Sequence, residues 1–153
     1  MIEFTHGNLF SADAEALVNP VNCLGRMGRG LAAQSKRAYP ANYCSYVDAC
    51  RSGELRIGRV LVVETGKPHN PRFIINFPTK RDWHDPSSLA YIDAGLAALA
   101  REVIRIGIKS VAMPALGCGL YGLDWEEVKK MIEDAAKNSP SVHFMVFEPH
   151  LHL

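Results

Sequence analysis

Leu17-Val18-Asn19-Pro20-Val21-Asn22-Cys23-Leu24-Gly25-Arg26-Met27-Gly28-Arg29-Gly30-Leu31-Ala32 passes from an apolar, strand-like run through a glycine-rich turn into a helix-like stretch. Pro114-Ala115-Leu116-Gly117-Cys118-Gly119-Leu120-Tyr121-Gly122 repeats that order near the other end of the chain. A glycine turn between strand and helix leaves several backbone N–H groups at the positive end of a helix, which suits a phosphate. Two such turns suit a diphosphate.

The segments between the two loops alternate in character. Ile2–Thr5, Ala16–Asn19, Val60–Glu64, Phe73–Phe77, Ser110–Met113 and Val142–Phe147 are short apolar runs that read as strands. Gly30–Ala38 reads as a helix stopped by Pro40, and Ala41–Cys50 resumes the helical pattern as far as Gly53. Leu89, Ile92, Leu96, Leu99, Val103 and Ile106 step by three and four, which predicts one long amphipathic helix. Its expected start is Asp85 as N-cap with Pro86 in the first helical position, and its expected end is Gly107. Asp124 and Glu127 have capping-box spacing before a further helix, stopped at Asn138-Ser139-Pro140. The alternation predicts an α/β fold: three layers, with a mixed central sheet between helices. Gly66–Pro71 reads as a turn that makes the third and fourth strands neighbours. Loops that bind ligands in such sheets lie beyond the carboxyl ends of the strands, where both glycine loops fall.

At 153 residues the chain is expected to form one domain over residues 1–153, either complete or the N-terminal part of a longer protein. No run approaches the roughly 20 apolar residues of a membrane helix, and the N-terminus lacks the pattern of a signal peptide. The expected setting is therefore cytoplasmic, with no membrane partner. Cys23, Cys44, Cys50 and Cys118 form no C-x-x-C pair and read as reduced thiols. Nothing calls for a metal or another cofactor; the terminal His150-Leu151-His152 pair supplies only two ligand atoms at a chain end. Net charge is +1, which excludes a global polycation. Arg26, Arg29, Lys36 and Arg37 nevertheless gather around the first loop. Lys67, His69, Arg72, Lys80, Arg81 and His84 fall in one central stretch, which reads either as a solvated face or as a rim for a polyanion.

Gly7-Asn8-Leu9, Leu17–Asn22 and the two glycine loops, in this order, resemble a macrodomain over nearly the whole chain. The resemblance implies ADP-ribose as ligand, in a cleft across the carboxyl ends of the strands. Carried over by position, it implies that Asn8 and Leu9 border the adenine, with Asn8 standing where the family usually has an aspartate. Asn22 would hold the distal ribose. Gly28, Arg29 and Gly30 would form the first phosphate loop; Gly117, Cys118, Gly119, Leu120 and Tyr121 would form the second. Phe147 or Glu148, at the end of the last strand, would border the adenine. Asn19 is a further ligand candidate, although its amide could instead tie the loop to itself.

Phe77-Pro78-Thr79-Lys80-Arg81-Asp82-Trp83-His84 resembles the lysine-bearing branch of macrodomain hydrolases, and with Pro114–Gly122 looks nearest to DNA ADP-ribosyl glycohydrolases of the DarG kind. That resemblance implies catalysis by Lys80 and ADP-ribosylated thymidine in single-stranded DNA as substrate. It further implies an antitoxin role against a cognate DarT-like toxin. Glycosidases ordinarily use two placed carboxylates, and no such pair is evident. Tyr121 stands where one relative carries an aspartate, so an Asp–Lys pair is not supported. Lys80 has two routes: attack by its neutral amine on C1 of an opened ribose, or charge stabilisation and proton donation by its ammonium. Hydrolysis of ADP-ribosylated Glu or Asp, or of O-acetyl-ADP-ribose, and a reader without turnover are the alternatives. Trp83, Arg81 and His84 are candidates for the DNA rim.

Overall fold

Along β2 (Ala16–Val21), Ala16 and Val18 enter one apolar cluster while Leu17 enters another on the opposite face. This period of two marks a strand covered on both sides. The computed structural model describes residues 1–82, 84–119 and 122–149. The remaining strands are β1 (Ile2–Thr5), β3 (Leu61–Glu64), β4 (Phe73–Pro78), β5 (Ser110–Pro114) and β6 (His143–Phe147). They form one sheet in the order β1-β6-β5-β2-β4-β3. Only β3 runs antiparallel to its neighbour, β4, to which the Gly66–Pro71 turn joins it. Helices α1 (Gly30–Ala38) and α2 (Pro40–Ser52) cover one face, and α3 (Leu89–Ile106) and α4 (Trp125–Lys137) the other. This is the expected three-layer α/β fold with a mixed sheet.

The larger core lies between the sheet and α3/α4, where Ile75, Phe77, Ile92, Leu99, Met113 and Ile132 are buried. Gly95 lets α3 approach β4 closely, because a Cβ there would run into the Phe77 ring. A polar trio is buried on the other side of β4. Asn19 Nδ2 donates to Asn76 Oδ1 at 3.2 Å, and Asn42 Nδ2 donates to the same oxygen at 3.1 Å. Asn76 Nδ2 in turn donates to Asn42 Oδ1 at 2.8 Å.

The sheet is unevenly stitched. Six residue pairs join β2 to β4 and five join β5 to β6, but only Ala16↔Val111 and Leu17↔Ala112 join β2 to β5. The cause is covalent. The Val21 carbonyl accepts from Thr79 N on the β4 side, so by alternation the backbone of Pro20 faces β5. The Lys109 carbonyl accepts from His143 N on the β6 side, so the backbone of Pro114 faces β2. The next two rungs would need N–H groups from Pro114 and Pro20, and proline has none. The strands part there, and both glycine loops begin at the parting.

Several boundaries differ from the sequence reading. Helix α3 starts at Leu89 with Ser88 as N-cap, its hydroxyl accepting from Ala90 N at 3.2 Å. The Asp85 carboxylate is engaged elsewhere, accepting the Arg81 N–H at 3.1 Å, so neither Asp85 nor Pro86 opens the helix. Pro40 opens α2 instead of merely stopping α1, since a missing N–H costs nothing in the first turn. Asp124 occupies the N-cap position of α4, but its side chain makes no capping bond. A three-residue 3-10 turn, Leu9–Ser11, was not foreseen. The central basic stretch is split by β4. Six strand residues span about 20 Å, so Lys67 and Arg72 lie at the end of β4 opposite Lys80, with the Lys67 ammonium 4.8 Å from the Tyr39 ring centroid. Only Lys80, Arg81 and His84 remain to form a rim at the cleft.

Candidate functional site

The parting between β2 and β5 opens into a run of three adjoining cavities along the carboxyl ends of the strands. The first, about 490 Å³, is lined by Asn8, Leu9, Leu31, Cys118, Phe147 and Glu148 among others. The middle one, about 280 Å³, shares Leu31, Pro114 and Gly119 with the first and adds Arg29, Lys80 and Gly117. The third, about 610 Å³, shares Arg29, Thr79 and Lys80 with the middle one and extends past Asn22 and Gly28. The cleft thus gathers most of the expected residues in the expected order.

Helix α1 begins in this cleft. Arg29 is its N-cap and supplies no capping oxygen, so the first N–H groups of α1 have no side-chain acceptor. Unsatisfied donors at a helix start, with an arginine beside them, suit an anion. Opposite them runs the second loop, drawn tight by Gly122 N donating to Gly119 O at 2.7 Å and Leu123 N donating to Gly117 O at 2.8 Å. Gly122 admits no side chain, because a Cβ would collide with the Gly117 carbonyl. Gly119 faces open space. Leu120 and Tyr121, expected in this loop, lie outside the described residues, as do Trp83 and the His150–His152 pair.

Asn22 is held on every side. Its Nδ2 donates to the Arg26 carbonyl at 3.0 Å, and its Oδ1 accepts from Leu24 N at 3.0 Å. The Tyr46 hydroxyl lies 2.8 Å from both the Asn22 carbonyl and Oδ1. Tyr46 is fully buried on α2, and burial pushes its hydroxyl pKa well up, so it is a donor throughout the physiological range. One Nδ2 hydrogen of Asn22 remains for a ligand. Asn19, by contrast, lies outside the lining of the three cavities; at 4% exposure it bonds Asn76 and, at 3.8 Å, the Met27 sulfur beneath the first loop. Asn8 lines the first cavity, and its Oδ1 accepts from Phe10 N at 3.0 Å, leaving one lone pair.

Lys80 leaves β4 on a segment stitched to the first loop. Thr79 N donates to Val21 O and Cys23 N donates to Arg81 O, both at 3.0 Å. These bonds set Lys80 beside Asn22 on a shared backbone frame. Among the described residues no carboxylate forms an ion pair with Lys80. Asp82, which lines the third cavity with Lys80, spends Oδ1 on the His84 and Asp85 N–H groups at 2.7 and 2.9 Å. The two cysteines of the cleft region are thiols at neutral pH. Burial pushes both up to about 11, helped by Cys50 at Cys23 and by Asp124 at Cys118. They are poorly suited as nucleophiles. Among the described residues no group of three His, Cys, Asp or Glu side chains gathers to hold a metal ion.

Tyr46 was missed in the sequence. Tyr46 sits in a helix where an aromatic reads as core, and nothing local shows where its hydroxyl points. Asn76 did carry a signal, as a lone amide inside Phe-Ile-Ile-Asn-Phe, which demands a buried partner.

The Macro domain family model matches residues 18–132. The DNA ADP-ribosyl glycohydrolase of Mycobacterium tuberculosis is 50% identical over 149 residues, covering 97% of this chain and 42% of that protein. The chain therefore spans about two fifths of that relative's length. Among solved structures, the macrodomain of Mycobacterium tuberculosis DarG superposes with a TM-score of 0.95 at 49% identity, covering 98% of this chain and 99% of that one. Thermosipho africanus DarTG in complex with ADP-ribose gives 0.84 at 30% identity, covering 97% of this chain and 41% of that one.

Proposed function

We infer that this chain, which belongs to the macrodomain family, is an ADP-ribosyl glycohydrolase that removes ADP-ribose from thymidine in single-stranded DNA. The adenine occupies the cavity between Asn8, Leu9 and Phe147. The diphosphate lies between the start of α1, at Gly28, Arg29 and Gly30, and the second loop at Gly117, Cys118 and Gly119. The distal ribose meets the free Nδ2 hydrogen of Asn22, which brings its C1 to Lys80. The ADP-ribose complex of the Thermosipho relative supports this ligand.

One observation carries the catalytic reading. A lysine without a carboxylate partner among the described residues is fixed by backbone pairing beside the ribose-holding asparagine. The C1–N bond to the base breaks, water supplies the oxygen that ends on C1, and the base leaves with a proton. Lys80 is the reacting group. It acts either as an amine that bonds C1 of the opened ribose or as an ammonium that protonates the departing base. Borohydride added during turnover distinguishes them, because it fixes a Lys80 adduct only if an imine forms.

A modification that is removed must also be made, so a DarT-like DNA ADP-ribosyltransferase toxin is the matching partner and the role is that of its antitoxin. The site of action is the cytoplasm, a reading supported by four unpaired cysteines. The chain acts as one macrodomain module. No helix of the described residues is long and apolar enough to cross a membrane.

The test offers an ADP-ribosylated oligonucleotide and ADP-ribosylated protein side by side and measures free ADP-ribose. Release from DNA is expected. Release from protein alone would replace the DNA substrate by a Glu- or Asp-linked one, and release from neither would leave a reader. Lys80→Ala should lose most turnover while ADP-ribose affinity stays within about tenfold, roughly 1.4 kcal/mol. Wild-type turnover in that variant would refute the lysine mechanism.

A further inference from the structure

Past Lys80 the cleft does not end. Its third cavity, the largest of the three, runs from Lys80 and Asn22 out to Leu24 and Arg26. With C1 set beside Lys80 and Asn22, the group that leaves it faces this cavity. Two of its lining side chains were given no contact with ADP-ribose above. Leu24 is 52% exposed, one of three large apolar side chains so exposed among the described residues. Arg26 is exposed and forms no ion pair among the described residues.

Neither side chain hangs on a loose loop. The Asn22 amide pins Leu24 through its N–H and Arg26 through its carbonyl. The Tyr46 hydroxyl supports both amide and turn from below. Gly25 between them adopts φ 84°, and the turn packs on α2 at Val47 and Cys50. The turn therefore presents an apolar side chain and a cation outward from a fixed frame. Asp82, the one carboxylate among the described lining residues, is already occupied by two backbone N–H groups. Arg26, Arg29 and Lys80 outnumber its single charge, so the wall joins apolar surface to a net positive charge.

We propose that Leu24 and Arg26 form the subsite for the leaving nucleotide, Leu24 packing against the face of the base and Arg26 meeting a phosphate of the adjoining strand. This rests on the DNA glycohydrolase reading above and deepens it. A flat base offers an apolar face and its neighbours carry phosphates; a carboxylate leaving group on a protein offers neither. Leu24 and Arg26 thus select the substrate at the end of the cleft where ADP-ribose itself is indifferent.

The experiment compares wild type, Leu24→Ser and Arg26→Gln on an ADP-ribosylated thymidine oligonucleotide and on the ADP-ribosylated nucleoside, over about 50 to 300 mM salt. Leu24→Ser should lower kcat/KM about tenfold on both substrates. Arg26→Gln should lower the oligonucleotide-to-nucleoside ratio of kcat/KM about fivefold and reduce the salt slope by about 0.7, one single-strand phosphate contact. If wild type cuts the DNA substrates and both variants match it in kcat/KM and slope, the subsite is wrong and the glycohydrolase reading stands. If wild type releases nothing from either, that reading falls and the subsite with it. Calorimetry with free ADP-ribose completes the test, because an equal loss there would mean that the variants act through Asn22 and would overturn the subsite.

Discussion

Removing one oxygen atom, in Tyr46→Phe, tests whether the first loop is held from beneath. The hydroxyl is fully buried and its single hydrogen serves two oxygens of Asn22, each at 2.8 Å. Phenylalanine keeps the ring packing, so the cost is that of the hydrogen bond and of acceptors left without a donor. A buried hydrogen bond contributes about 1 kcal/mol net, and an orphaned partner adds up to about as much again. Asn22 is only half-buried and retains Leu24 N, which places the total at about 1–2 kcal/mol. For a domain of this size that is a fall of about 2–8 °C in Tm. Urea unfolding should show the midpoint falling with the slope unchanged. Stability alone would not separate support of the site from support of the core. Calorimetry with ADP-ribose and with AMP, which lacks the distal ribose, does so. ADP-ribose should weaken about three- to tenfold, up to about 1.4 kcal/mol, while AMP is unaffected. Equal weakening of both ligands, or of neither, would refute the role given to Tyr46 in orienting Asn22.

Other outcomes follow from the same geometry. Gly95→Ala should destabilise by about 1–3 kcal/mol despite its better helix propensity, because the new methyl meets Phe77; adding Phe77→Leu should recover part of it in a double-mutant cycle followed by urea unfolding. Gly122→Ala should weaken ADP-ribose binding in calorimetry, since the added carbon displaces the Gly117 carbonyl within the second loop. Stability should also fall in alkali. Burial raises Cys23 and Cys118 from 9.0 to about 11, so the unfolded chain loses these protons before the native one does. The stability present below pH 9.0 is then lost progressively up to about pH 11, and urea midpoints of a Cys23→Ala, Cys118→Ala double variant should fall less steeply over that window.

Much of this was legible in the residues. Glycine and proline punctuation located α1 and the β3–β4 turn, because those residues dictate backbone shape locally. The step of three and four residues found the face of α3, but its start was misread. Asp85 and Ser88 are both good caps, and only the folded loop shows that Asp85 is taken by Arg81. The cleft residues were found through the two loops, whose chemistry is largely backbone. What escaped was chemistry made by distant side chains. Tyr46 reaches Asn22 across 24 positions, and Asn42 reaches Asn76 across 34. No local pattern encodes such a meeting. The central basic stretch failed for a related reason: neighbours in sequence are parted when a strand runs between them.

The two prolines at the parting of β2 and β5 bear on how a cleft can persist without a ligand. Parallel strands already in register tend to go on pairing, and each further rung would draw the two glycine loops together and fill the space between them. Here that competing, closed arrangement is denied its donors in the covalent chain itself. The opening needs no wedge and no bound molecule to hold it; it is inherited from two absent hydrogens. Changes elsewhere in the loops can therefore alter what is recognised while the place of recognition stays put. Replacing Pro20 and Pro114 together by alanine would restore both donors, and loss of ADP-ribose binding in a variant that still unfolds cooperatively is the expected sign that the seam has closed.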